Sequence, residues 1–214
     1  MKRAILIISA AIIASTLMGA NEKYTQKMGE TITQFSTCRS IEDFQNLANK
    51  FRIIANVETE EWLPLYYEAQ CYITMSFMDR SGAEGKDAYL DQANTSIEKM
   101  LELAPDESEV YALQAFYYTG RLVVNPPERA QTTAPMVSVA IGKSLGLNPN
   151  NPRAKYIRLS NEIGTARFFG SDTTPYCKSA RELLDQWDSY QVKSAIHPAW
   201  GKDQVEEIVN DCGA

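Results

Sequence analysis

The sequence predicts an all-α chain, an α-solenoid of antiparallel helix pairs closed by a short C-terminal helix. Apolar residues recur at three- and four-residue steps through most of its length, the period of a helix buried along one side. No stretch alternates as a strand would. Two turn segments also repeat 44 residues apart: Leu101-Glu-Leu-Ala-Pro105-Asp106 and Leu145-Gly-Leu-Asn-Pro149-Asn150. The same interval lays Tyr111-Ala-Leu-Gln-Ala-Phe116 on Tyr67-Glu-Ala-Gln-Cys-Tyr72, and Ile141 on Ile97. One interval that registers two helices and the turn between units marks a structural repeat.

The elements follow in order. Residues 1–20 read as a signal peptide: Lys2 and Arg3, then an uncharged apolar run from Ala4 to Leu17, then Gly19 and Ala20. The apolar run has 14 residues, short of the ~20 that a membrane-crossing helix needs. The remaining chain, 21–214, is expected to be a single domain with units at about 24–57, 60–104, 105–148 and 149–192 and a tail at 193–214. Lys23–Thr37 and Ser40–Ala55 form the first helix pair, the second helix opened by the Ser40/Asp43 spacing of a capping box. Trp62–Met78 and Tyr89–Leu103 form the next pair, parted by Gly82 and Gly85. Val110–Val124 should end at Pro126-Pro127, which cannot donate backbone hydrogen bonds, and Pro135 should open the helix that runs to Leu147. Asn151-Pro152 pairs an N-cap with a first-turn proline for a helix through Phe169. A helix from Thr174-Pro175 to about Tyr190 and a last one at Lys202–Asp211 complete the count.

At these residues the chain resembles the tetratricopeptide-repeat (TPR) family over roughly residues 60–190, with a weaker extension back to about 24. Tyr111, Ala115 and Tyr118 match the family's large–small–aromatic pattern, Ala93 and Ile97 its second helix, and Leu101, Leu103 and Pro105 its closing turn. The resemblance implies a right-handed superhelix whose concave face is lined by the first helices. It places Glu68, Tyr72, Met75 and Glu109 at groove-facing positions, followed by Phe116, Arg153 and Tyr156. The family repeat is about 34 residues, so each unit here carries a surplus. That surplus falls at Asp79–Lys86, Asn125–Ala134 and Gly170–Thr174, where long interhelical loops are expected along one edge.

Charge and chemistry narrow the function. Loss of the leader removes two of the 21 bases and none of the 27 acids, taking the formal charge from −6 to −8. A chain this acidic has no general attraction for nucleic acid or anionic lipid. The four cysteines include no C-x-x-C. Cys177–Cys212 is the expected disulfide, pinning the tail to the last helix pair, while Cys38 and Cys71 read as small buried apolar residues. His197, the only histidine, has no partners at metal-ligand spacing, and no nucleophile, phosphate-binding or zinc-protease motif occurs. Glu58/Glu60/Glu61 and Glu206/Glu207 read as solvated helix faces, and neither a cofactor nor a catalytic group is expected. The expected function is an exported scaffold, periplasmic or extracellular, that binds a protein or peptide in its groove. The alternatives are a small-ligand receptor or enzyme with a pocket under the interhelical loops, and a structural subunit of a cell-envelope assembly.

Overall fold

The structure is a computed structural model and describes residues 21–212, so the expected leader lies outside the described residues. Among the described residues there are helices and no strands. Helix α1 covers 21–32 and passes into a 3₁₀ turn at Thr33–Thr37. Then come α2 (Ile41–Val57), α3 (Trp62–Met78), α4 (Ala83–Leu103), α5 (Ser108–Val124) and α6 (Pro126–Leu147). Helices α7 (Pro152–Phe168) and α8 (Thr174–Asp185), a 3₁₀ turn at Trp187–Ser189, and α9 (Lys202–Asp211) finish the chain.

Local chemistry sets these boundaries. The Ser40 hydroxyl accepts from the Asp43 N–H at 3.1 Å, and the Asp43 carboxylate accepts from the Ser40 N–H at 2.9 Å, closing the capping box of α2. Asn151 caps α7 through the Ala154 N–H at 3.0 Å, with Pro152 in the first turn, where a missing N–H costs nothing.

The expected loops are a different matter. Pro126 and Pro127 do not hold open a loop; they occupy the first turn of α6, and Asn125 alone separates α5 from α6. Pro135 lies inside α6 instead of opening it, and α4 begins at Ala83, not Tyr89. Paired prolines fit a helix start as well as they block a helix interior. In the two units spaced by 44 residues, most of the surplus over a 34-residue repeat therefore lengthens the second helices α4 and α6. At the other end, α8 stops at Asp185, short of the expected Tyr190.

Each helix from α2 to α9 packs on its successor, and the first helices α3, α5 and α7 also touch in series. The main core, from Tyr24 and Met28 through Phe51, Tyr66 and Ile73 to Met100 and Leu113, fills the α1–α5 half. A second cluster, around Leu159, Leu183, Trp187 and Val205, joins α7, α8 and α9. A third, around Ala115, Ile141 and Ile157, joins α5, α6 and α7.

Successive units are fastened by a buried polar knot. Arg153 on α7 donates to both oxygens of Glu109 on α5, at 2.5 and 2.6 Å. Asn151 donates to Glu109 and to the Ser108 hydroxyl, both at 2.9 Å, and Ser108 bonds Ser144 on α6. On the outer side Asp87 of α4 accepts from Arg121 on α5 and Arg129 on α6. The Arg129 guanidinium in particular holds the Asp87 carboxyl below its ordinary range.

The tail after α8 is irregular and runs back across the first helices. The Tyr67 hydroxyl donates to the Ile196 carbonyl at 3.0 Å, and the Trp200 indole N–H donates to the Tyr66 hydroxyl at 2.9 Å. Gly201 then turns into α9 at φ 113°, where an added Cβ would lie 2.8 Å from the Trp187 ring. Cys212 at the end of α9 is bonded to Cys177 on α8, with Cα atoms 5.7 Å apart, while Cys38 and Cys71 are free thiols. Such bonds persist in oxidising compartments, and the bond agrees with an exported chain.

Two measurements follow from this packing. Alkylation of the unfolded, non-reduced protein should label two thiols, Cys38 and Cys71, and reduction should raise the count to all four. The bond spans 35 residues, so a Cys177→Ser/Cys212→Ser variant should lose up to about 3–4 kcal/mol in urea unfolding. Separately, Glu109→Ala leaves the Arg153 guanidinium buried and unpaired and should cost about 3–5 kcal/mol. Glu68→Ala should cost less in the same assay, because its partner Arg52 is 43% exposed and water can replace the carboxylate.

Candidate functional site

The residues expected to line a concave groove separate into two groups. Glu68, Tyr72, Met75, Glu109 and Arg153 are buried. Glu68 and Tyr72 face sideways to α2, where Arg52 donates to the Glu68 carboxylate at 2.7 Å and also to the Tyr72 hydroxyl. Glu68 further accepts from Ser96 on α4 at 3.1 Å. Met75 is fully enclosed, and Glu109 and Arg153 saturate each other. None of the five offers a free surface. These positions fall between neighbouring helices, and the tail crosses α3 beside them at Tyr66 and Tyr67. Cover by an irregular segment leaves no periodic signal in the sequence.

Phe116 and Tyr156 are the other group. Both are partly buried, and both touch Trp200, with ring centroids 5.4 and 6.2 Å away. On their far side they border a cavity of about 700 Å³. Its walls are the end of α3 (Phe77), the second half of α5 (Thr119, Leu122, Val123), the opening turns of α6 (Pro126, Ala130, Ala134), α7 from Tyr156 to Phe168, and α9. The α6 turns are the stretch expected to be a loop beside a pocket; they do border one, as helix.

Small side chains create the space. Ala130 and Ala134 stand on the α6 wall, and a Cβ built on Gly164 of α7 would meet nothing within 4 Å. The mouth is marked by apolar residues that line the cavity yet stay exposed: Phe77 at 42%, Val123 at 46% and Phe168 at 56%. Phe169, 74% exposed, stands edge-on to Phe168. Exposed apolar groups gathered at one opening mark a binding surface better than scattered ones do. Phe77 also stacks on Phe116, centroids 5.2 Å apart, so an aromatic wall leads inward from the mouth.

The chemistry of the lining is sparse. It carries no histidine, cysteine or methionine. Its one phenol, Tyr156, is pushed above the ordinary tyrosine range by burial and stays protonated at neutral pH. The charged members are Arg167 on α7 and Glu207 and Asp211 on α9. Among the described residues no group of three or more His, Cys, Asp or Glu side chains is placed to hold a metal ion, and no helix is long and apolar enough to cross a membrane.

A second, polar cavity of about 430 Å³ lies where the tail meets the starts of α5 and α7. His197 stands there against Trp62, its Nδ1 2.8 Å from the Ser194 hydroxyl. Burial lowers its pKa, so it is neutral at pH 7. Lys193 pairs with Glu107 at the rim and Arg153 with Glu109 inside, so the charges in this cavity neutralise one another.

No protein-family model matches the chain, and no curated protein matches it either. Among solved structures, the chain is similar to the HusA haemophore from Porphyromonas gingivalis, with a TM-score of 0.76 and 29% sequence identity. The match covers 88% of this chain and 92% of that one.

Proposed function

We propose that this protein is an exported carrier with a TPR-like fold that holds a porphyrin of the haem class in the cavity between α5, α6, α7 and α9, and that it binds its ligand without transforming it. The observation that carries this reading is the cavity itself, of about 700 Å³ and largely apolar, with an aromatic wall and an exposed aromatic mouth. Sites of this size and composition suit small hydrophobic ligands. Phe77, Phe116 and Phe168 are suited to the faces and edges of a flat conjugated ring. The similar structure bears the name of a haemophore, which supports the same ligand class for this fold.

A peptide in the concave groove is less well supported. The inner face is crossed by the chain's own tail, held by the Tyr67–Ile196 and Trp200–Tyr66 hydrogen bonds. A peptide there would first have to displace Trp200 from Phe116 and Tyr156.

Haem iron is usually held by His, Cys, Met or tyrosinate. The lining has none of the first three, and its tyrosine is kept neutral. Affinity then comes from ring burial, not from iron ligation. Metal-free protoporphyrin IX should accordingly bind with a Kd within about threefold of that for haem, and haem should gain no strong-field axial ligand in its absorption spectrum. A metal-free ring that binds far more weakly would show that iron ligation dominates and would overturn this account.

The location is tested by filling it. The Gly164 Cβ direction is open, and Gly164 sits within α7, where a non-glycine residue suits the helix. Gly164→Trp should keep the parent's helicity and melting temperature and raise the Kd for haem more than about tenfold. An unchanged Kd would place the ligand elsewhere on the molecule.

A further inference from the structure

Arg167 is the single cation among the residues that line the cavity. It stands in the last turn of α7, one residue before the exposed Phe168 of the mouth. Facing it across the opening is Asp211 in the last turn of α9, with Glu207 one turn earlier on the same face. The Arg167 Nη2 lies 3.6 Å from the Asp211 Oδ2, with the two side chains 62% and 60% exposed. That separation is too long for a hydrogen bond, and an exposed ion pair of this kind contributes little to stability. Elsewhere in the molecule the paired arginines are engaged closely: Arg153 with Glu109, Arg129 with Asp87, and Arg52 with Glu68, all within 2.7 Å. Arg167 alone among these leaves its guanidinium fork unfilled, and it does so at the mouth of an apolar cavity.

We propose that Arg167 is the carboxylate anchor of this cavity, and that Asp211 is a built-in stand-in for the carboxylate of the ligand. The proposal rests on the carrier reading above and specifies its ligand as an amphiphile: an apolar ring that enters past Phe168, with an acidic edge that stops at the rim. A guanidinium receives a carboxylate in a bidentate fork, which a 3.6 Å contact with Asp211 does not supply. An incoming carboxylate therefore exchanges a loose pair for a tight one. Asp211 adjoins Cys212, and the Cys177–Cys212 bond ties this end of α9 to α8, so the competing carboxylate is held at the rim and not free to swing away. Glu207 and Asp211 together repel any acid group that is not seated on Arg167. The pair thus sets orientation, carboxylate outward, and lowers affinity for every acidic ligand by internal competition.

The test compares metal-free protoporphyrin IX with its dimethyl ester, which presents the same ring without charge. The two are titrated by tryptophan quenching into the oxidised parent, Arg167→Gln, Arg167→Lys and Asp211→Asn. Arg167→Gln should weaken the acid roughly tenfold and leave the ester unchanged, and Arg167→Lys should recover part of that loss. Asp211→Asn should tighten the acid about threefold or more, again without effect on the ester. If the parent binds acid and ester and Arg167→Gln shifts neither, or shifts both alike, the anchor is overturned while the carrier reading stands. Should Asp211→Asn weaken the acid, the stand-in role is wrong. A parent that binds neither compound overturns the carrier reading and this proposal with it.

Discussion

Trp200 is the side chain on which the arrangement of the C-terminal half depends. Its indole N–H is committed to Tyr66 in the main core, and its ring lies against Phe116 on α5 and Tyr156 on α7. It is packed against both the α1–α5 cluster and the α5–α7 cluster, and so it closes the seam between them. An irregular segment has no ladder of its own to satisfy its backbone, and its course must be fixed by side chains of this kind. Gly201 follows at once, with its positive φ and no room for a Cβ beside Trp187, and that turn sets the direction of α9. Since α9 is one wall of the cavity, the anchoring of the tail on the inner face is also what completes the candidate site.

Polar and apolar demands are met in different places. The starts of α5 and α7 carry Glu109, Ser108, Asn151 and Arg153, buried and bonded to one another. Such a knot is costly to break and weakly stabilising when intact, and its use lies in fixing how one unit sits on the next. The cavity begins about one to two turns beyond the knot, at Tyr156 and Ile157 on α7 and Phe116 on α5, and runs to the far ends of both helices at Val123 and Phe168. The knot keeps α5 and α7 in register at one end, so the gap beyond it does not close by sliding. Unfilled apolar space costs packing energy, and a solenoid would ordinarily fill it.

The legible part of this structure was what has a period. Helices α2, α3, α5 and α7 could be placed from apolar spacing and from caps at Ser40 and Asn151, because burial along one side and the chemistry of a helix start are local facts. Helices α4 and α6 were legible at their ends but not their beginnings, and α8 at its beginning but not its end. Pro126-Pro127 is ambiguous between a break and a first turn, and only the single-residue link at Asn125 resolves it. Of the residues expected in a groove, Phe116 and Tyr156 border the candidate cavity. A family pattern gives positions on a helix, but not which neighbour each position meets, and Glu68 and Tyr72 meet Arg52 on α2. Gly164 carried no signal as a wall-former, since a glycine that leaves space looks like any other weak helix residue until its neighbours are known. The tail was hidden for a simpler reason: between Tyr190 and Gly201 there is no regular element for a pattern to reveal.

The lengthened second helix gives the 44-residue unit a physical meaning. In a repeat of about 34 residues the two helices are of similar length and cover each other. Here α6 has 22 residues against 17 in α5, and its first turns, from Pro126 to Ala134, extend beyond what is needed to cover α5. Those turns present Ala130 and Ala134 towards α7, where Gly164 answers with no side chain at all. The two helices pack closely further along, at Val137, Ile141 and Ile157, but leave a gap beside these small residues, which α9 encloses from the far side. The cavity therefore arises from added helix length combined with withheld side-chain volume, and neither alone would produce it. Extra length with large residues would simply extend the core, and small residues without the length would let α6 and α7 collapse together.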